Sequence, residues 1–267
     1  MSEPVLADVW RGPLRESVHR GAVAVADSNG GLRVRLGDVD RPIYPRSAIK
    51  MIQALPLVAS GAADALGLDQ RALALACASH SGTATHVETA SRMLAAAGLD
   101  DRALMCGAHA PIDALAHAEL LRAGLAPSAL HNNCSGKHAG FLALGWQLFA
   151  GADVAVRCDN YVEPGHPIMR EVTRAIGSVC GVDMNAAPRG IDGCSIPTYA
   201  IPLPALARGF ARLGTGEGLS EGRGRAFRRL REAVAAHPWY VGGTGKLDTI
   251  VMERLGARVF MKTGAEG

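Results

Sequence analysis

The sequence predicts an α+β fold in which helices pack on an antiparallel sheet built from the two ends of the chain. Residues 4–37 have the pattern of strands, and the Ser-Asn-Gly-Gly segment at 28–31 between two apolar runs is typical of a β-hairpin. Helical patterns fill the middle of the chain. Near the end, the segment 257–261 predicts a further strand that delivers Lys262.

The predicted helices are separated by glycines, prolines and short polar segments. The first begins just after Pro45, where a missing N–H costs little, and Pro56 is expected to kink it. Asp69 is expected to cap the second, and Gly98 and Gly124 follow the third and fourth. In chain order we predict helices near 46–60, 70–77, 85–97, 113–122, 141–149, 163–179, 203–212 and 222–236, and a last one opening near 247.

Composition limits the classes of function. The chain has 267 residues, and we expect one domain over 1–267. Its formal charge is +3, and no basic stripe is interleaved with aromatic residues, so no nucleic-acid partner is expected. Neither a signal peptide nor a membrane-spanning segment is recognisable, so we expect a cytoplasmic protein without a membrane partner. The six cysteines are then expected to be buried thiols or metal ligands.

The clearest chemical pattern is a serine three residues before a lysine. Ser47 and Lys50 open a helical run, so the hydroxyl and the amine lie on one face. A serine needs a base to become a strong nucleophile, and a lysine serves if burial or a nearby cation lowers its pKa. Such a pair, followed late in the chain by Lys262-Thr263-Gly264, is the outline of the penicillin-recognising serine hydrolases.

Five segments taken together identify a protein family more specifically than this serine–lysine pair does. They are Arg46-Ser47-x-x-Lys50, Cys77-Ala78-Ser79-His80-Ser81, Asn133-Cys134-Ser135-Gly136-Lys137-His138, Asp192-Gly193-Cys194 and Lys262-x-Gly264-Ala265-Glu266-Gly267. In type and order they resemble the motifs of the asparaginase II family, the rhizobial-type L-asparaginases. The resemblance runs from about residue 8 to the last residue.

This resemblance implies a serine-β-lactamase-like fold and the hydrolysis of L-asparagine to L-aspartate and ammonia. It also implies a small-molecule substrate, a bound zinc ion and a homodimer. The roles it implies fall on catalytic Ser47 with Lys50 and Ser79 with Lys262, on substrate-binding Arg46, His138 and Asp192, and on zinc-binding Cys134, Lys137 and Cys194.

Two departures from the family pattern stand out. A cysteine near the site in one branch of the family is Asp248 here, so that part of the site is expected to differ. Chains of the family continue for several dozen residues past the Gly-Ala-Glu-Gly segment at 264–267. We therefore expect a fold that lacks its C-terminal strands, or a separate C-terminal fragment that supplies them.

Simpler alternatives stay open for each assignment. Ser47 and Lys50 also fit a helix cap with a surface lysine, and Cys134 and Cys194 also fit two buried thiols, because no local spacing marks them as ligands. The alternative functions are a glutaminase, another serine hydrolase of the same fold, or a non-catalytic protein that binds zinc or a ligand.

Overall fold

The structure, a computed structural model, describes residues 3–265. Strands in this range form three separate two-stranded antiparallel sheets: β1 (Val5–Arg11) with β2 (Leu14–Arg20), β3 (Val23–Ala26) with β4 (Leu32–Leu36), and β5 (Arg189–Ile191) with β6 (Pro197–Tyr199). The helices are α1 (Lys50–Ala59), α2 (Ala62–Ala65), α3 (Gln70–Ala76), α4 (Ala84–Ala96), α5 (Ala114–Arg122), α6 (Ser135–Leu148), α7 (Val154–Arg157), α8 (Pro167–Cys180), α9 (Leu203–Thr215), α10 (Glu221–Ala236), α11 (Trp239–Gly242) and α12 (Leu247–Leu255). The predicted α+β class is confirmed.

The N-terminal strands follow the predicted hairpin. β3 pairs with β4, and the turn between them is closed by the Asp27 carboxylate, which accepts a hydrogen bond from the Gly31 N–H at 2.7 Å. Gly30 has φ +86°, a conformation that favours glycine. The hairpin of β1 and β2 stands out from the helices and is exposed along most of both strands, so that Trp10 is 60% exposed and Leu14 71%.

Helix α1 lies at the centre of the helical layer. It packs against α6, α8 and α10, and its residues from Lys50 to Val58 are all buried. The surrounding core is built mostly from Ala, Leu, Val and Ile, as the low aromatic content of the sequence requires. Small side chains let helices approach closely, and this close approach brings the start of α6 next to α1 and α3.

Gly136 shows how close this approach is. A Cβ atom at this position would lie 2.6 Å from the carbonyl oxygen of Leu75 at the end of α3. Glycine therefore allows the first turn of α6 to touch α3. The same turn carries Lys137, and Cys134 precedes it, so the packing of Gly136 also positions two residues of the predicted zinc set.

The C-terminal segment differs from the strand predicted at 257–261. Gly256–Arg258 forms a 3-10 turn, and Val259 then adopts an extended conformation. Within residues 3–265 this segment joins no sheet ladder; instead, the ring of Phe260 stacks on Phe210 of α9. Packing against a helix has replaced strand pairing here, so the described strands do not form a sheet built from both chain ends. The likeness to serine β-lactamases and the single domain over 1–267 stay predictions.

No helix in the described part of the chain combines the length and the apolar character that crossing a bilayer requires.

Candidate active site

A cleft of about 550 Å³ brings together residues from distant parts of the chain. Its walls come from the turn before α1, the loops after α3 and before α6, the turn between β5 and β6, and the segments around α12. Of the predicted site residues, those that line it are Arg46, Ser47, Ser79, Cys134, Asp192 and Cys194. The remaining four are Lys50, Lys137, His138 and Lys262, and their side chains are buried.

Ser47 lies in a 3-10 turn that leads directly into α1. Arg46, just before it, has φ +48°, a left-handed conformation that costs free energy for a residue with a side chain. The Arg46 guanidinium donates through Nε to Asp192 at 2.6 Å. The same carboxylate oxygen accepts the Gly193 N–H at 2.8 Å, so this ion pair links the turn before α1 to the loop that carries Cys194.

Lys50 is the most deeply buried amine of the site, with 1% of the residue exposed. Its Nζ donates hydrogen bonds to the Ala78 carbonyl at 2.5 Å, the Ser79 hydroxyl at 2.9 Å and the Cys134 sulfur at 3.2 Å. Burial lowers the pKa of Lys50 to about 8, and the charges of Lys137 and Lys262 act in the same direction. A lysine with such a pKa is partly neutral near pH 7 and able to accept a proton.

The two predicted serine–lysine pairs are connected differently from the expected pattern. The serine hydroxyl that the Lys50 amine contacts is that of Ser79. Lys50 reaches Ser47 only through the main chain, where its N–H donates to the Ser47 carbonyl within the turn. No side-chain hydrogen bond joins Lys50 to Ser47, or Lys262 to Ser79, in the part of the protein that the structure describes. Ser47 and Ser79 nevertheless line the same cleft.

Lys262 is held by its own set of contacts behind Thr263. Its Nζ donates to the Asp248 carboxylate at 3.1 Å and to the Thr263 carbonyl at 3.0 Å. Burial lowers the pKa of Lys262, and the charge and hydrogen bond of Asp248 oppose that effect. Asp248 and Thr263 line the cleft, so the Lys262 amine lies directly behind this wall.

Cys134, Lys137 and Cys194, the three residues predicted to bind zinc, lie close to one another. The Lys137 amine donates to the Cys194 sulfur at 3.1 Å, and all three side chains are buried. A hydrogen bond with the Cys194 thiol lowers the pKa of Cys134 well below its usual range, and the charges of Lys137 and Lys50 add to this. The neighbouring Cys134 and burial raise the pKa of Cys194.

His138 lies behind the cleft rather than in its wall. Its ring is fully buried on α6, and Nδ1 is hydrogen-bonded to the Tyr161 hydroxyl. Burial lowers the pKa of His138 well below its usual range, which keeps the imidazole neutral. His138, which was predicted to bind substrate, is not among the residues that line the cleft.

Residues that the sequence interpretation did not place in the site also line the cleft, among them the polar side chains of His109, Asn132 and Lys246. Asn132 shapes the loop before α6, because its Oδ1 accepts the Cys134 N–H at 2.9 Å while its Nδ2 donates to two carbonyls. His109 accepts the Asn133 N–H at 2.9 Å. An asparagine three residues before the first residue of a helix is a signal of such a turn, whereas nothing local marks His109.

This cleft, with a buried amine against a serine hydroxyl, is typical of hydrolases that attack a carbonyl through an activated serine. Comparison with family models gives an independent result: the model described as L-asparaginase II matches residues 7–267. The chain therefore belongs to the L-asparaginase II family, and this membership points to an amidohydrolase with a small-molecule substrate. A search of curated proteins returned no match.

Proposed function

We propose that the protein hydrolyses the side-chain amide of L-asparagine to L-aspartate and ammonia through a covalent acyl-enzyme. The observation that carries this proposal is the contact between the Lys50 amine and the Ser79 hydroxyl, in a cleft that Ser47 also lines. Family membership supports the amide substrate. The cleft also offers charges of both signs, Arg46 and Asp192 among them, which suit a zwitterionic amino acid.

In the proposed reaction Ser47 is the nucleophile and Lys50 the base. Ser47 forms a bond to the amide carbon and gives up its proton, which the neutral amine of Lys50 receives. In the structure the same amine contacts the hydroxyl of Ser79. The carbon–nitrogen bond then breaks, and the returned proton leaves with ammonia. Water attacks the resulting ester, releases L-aspartate and restores the Ser47 hydroxyl.

Lys262 has an electrostatic role in this proposal. Its ammonium lies behind the cleft wall, on the side formed by Thr263 and Asp248. A positive charge close to the reacting carbonyl stabilises the oxyanion that develops in the transition state, and such stabilisation is often the largest single contribution to catalysis.

A zinc ion on Cys134, Lys137 and Cys194 is part of the same proposal. Cysteine sulfur is a donor that zinc prefers, and the tendency of Cys134 to ionise suits a ligand, whereas the Lys137 amine would have to give up its proton to bind the metal. Among residues 3–265 no group of three or more His, Cys, Asp or Glu side chains is placed to hold a metal, so a zinc site here depends on the lysine. When bound, zinc would supply a positive charge that orients the substrate.

The experiment that tests the function compares substrates and one variant. Purified protein should release ammonia from L-asparagine faster than from L-glutamine and should leave a chromogenic β-lactam intact. Acid quenching during turnover should give a protein heavier by one aspartyl group, located by peptide mapping at Ser47. A Ser47→Ala protein with unchanged activity would remove Ser47 as nucleophile, and an intact wild-type protein without amidase activity would remove the proposal.

A further inference from the structure

Asp248 is a carboxylate with an unusual degree of burial and bonding. Only 3% of the residue is exposed, and the side chain accepts three hydrogen bonds. Oδ2 accepts the Lys262 amine at 3.1 Å and the Thr263 hydroxyl at 3.2 Å, while Oδ1 accepts the Thr263 N–H at 3.0 Å. A buried carboxylate is stable only when it is paired and hydrogen-bonded, and this one is both.

These bonds attach a segment that has little other polar support. In the described range, residues 259–264 join no sheet ladder, so main-chain pairing does not fix the position of Lys262 or Thr263. The polar side-chain attachment of this segment comes instead from the first turn of α12, where Asp248 lies. Because Thr263 lines the cleft, the position of this wall depends on Asp248.

The titratable groups around Lys262 come from several elements. Asp248 faces it from α12, the thiols of Cys134 and Cys77 from the loops next to α6 and α3, and the Lys50 amine from α1. Asp248 is the carboxylate of this group, and burial of the amine disfavours the ammonium form. Removing the charge of Asp248 would remove the largest effect that opposes burial at the Lys262 amine.

We propose that Asp248 is a positioning residue that fixes the Lys262–Thr263 segment as one wall of the cleft and holds the Lys262 amine as an ammonium ion. This division of roles rests on the proposed function, because it leaves Lys50 as the lysine that accepts the proton of the attacking serine. Two amines in one site then perform different tasks, since one contacts a hydroxyl and a thiol and the other a carboxylate.

The proposal is tested by measuring the protonation state of the Lys262 amine by NMR as a function of pH. The chain has four lysines, at positions 50, 137, 246 and 262, so labelling with ¹³Cε-lysine gives four signals, and Lys262→Arg assigns the one of interest. In the full-length protein as purified, this signal should stay that of an ammonium ion through pH 8. In Asp248→Asn it should titrate at least one pH unit lower, a tenfold change in the proton equilibrium, and kcat should fall at least tenfold.

Two further proteins separate a charge effect from a general loss of structure. Thr263→Val removes one bond to Asp248 but keeps its charge, and Asp64→Asn removes an exposed carboxylate paired with Arg229. Both should leave the titration of Lys262 within 0.3 pH units (a twofold change) of the wild type. A shift in Thr263→Val as large as that in Asp248→Asn would overturn the proposal.

The outcome also separates this inference from the proposed function. A Lys262 signal that titrates below pH 7 in the wild type, or that is unchanged in Asp248→Asn, would overturn the role of Asp248 even if the protein hydrolyses L-asparagine. If Asp248→Asn does not fold, the wild-type titration alone decides. A wild type without amidase activity, but with the expected titrations, would remove the proposed function and keep Asp248 as the residue that fixes the charge of Lys262.

Discussion

The amine of Lys50 lies 2.9 Å from the hydroxyl oxygen of Ser79, although 29 residues separate the two in the chain. This contact connects the two predicted serine–lysine pairs into one cluster, because Lys50 also begins the helix that Ser47 precedes. The cluster is buried on the Lys50 side and open to the cleft on the serine side. In the proposed reaction Lys50 is the base for this cluster, and the site and its surroundings give four predictions.

The first prediction concerns the base. Lys50→Arg keeps the positive charge but cannot be deprotonated near neutral pH, so kcat for ammonia release should fall by about 10²–10⁴-fold. Ser47→Ala should lower kcat by a similar factor, and the double variant should be hardly slower than either single variant, because the two residues act as a unit. Steady-state kinetics with an ammonia assay measure this. Losses that multiply in the double variant would show that the residues act independently.

The second prediction concerns zinc. Cys134→Ala and Cys194→Ala should each lose most of the metal found in the wild type by elemental mass spectrometry, because each removes one of two sulfur donors. Cys158→Ala is the matched control, since Cys158 is an equally buried thiol that packs near Gly145 of α6 and outside the cleft. It should retain the wild-type content. Equal zinc in all four proteins would refute the assigned ligands.

The third prediction concerns the packing of α6. Gly136→Ala places a methyl group against the main chain of Leu75 and should lower the free energy of unfolding by about 1–3 kcal/mol. Gly214→Ala in α9 is the control, because a Cβ there meets nothing within 4 Å. That change should be neutral or stabilising by up to about 1 kcal/mol, since alanine is the better helix former. Urea denaturation measures both, and equal effects would contradict the close approach.

The fourth prediction concerns pH. Burial lowers the pKa of His86 to about 4 in the folded protein, against 6.5 for the free side chain. Between these values the unfolded chain binds the proton more tightly, so stability is complete above pH 6.5 and is lost as the pH falls towards 4. This residue accounts for at most about 3 kcal/mol of that loss.

His86→Phe tests this prediction, because it keeps a ring to stack on Trp239, 4.3 Å from the imidazole between centroids. Unfolding free energies at pH 7 and pH 4.5 should differ less in this variant than in the wild type. His19→Gln, at an exposed position on β2, should leave the difference unchanged. A pH dependence that is the same in all three proteins would exclude His86 as its source.

Local signals explain why much of the helical layer could be predicted. Asp69 caps α3 through a 2.9 Å hydrogen bond to the Ala72 N–H, and Asp113 caps α5 in the same way. Gly98 follows the end of α4 with φ +72°. Each of these residues acts on its own neighbours, so its effect is visible in a short stretch of sequence.

Long-range packing explains what could not be predicted. An apolar segment such as 257–261 has the composition of a strand, but whether it pairs depends on what lies beside it, and here Phe260 meets Phe210. The motifs placed Ser47, Ser79 and Cys134 near one another only through the family resemblance. Two contacts of the site depend on how α1, α3 and α12 pack, which no local pattern specifies. They are the contact of Lys50 with Ser79 and that of Asp248 with Lys262.

All six cysteines are unpaired thiols inside the protein, and four of them, Cys77, Cys106, Cys158 and Cys180, do not line the cleft. Burial raises the pKa of Cys158 to about 11 and of the other three to about 12, so hardly any thiolate is present at neutral pH. An aromatic disulfide reagent should consequently react with these four groups only when the molecule opens. The rate at which these four thiols release the coloured product would therefore measure the rate at which the native protein opens, without any denaturant.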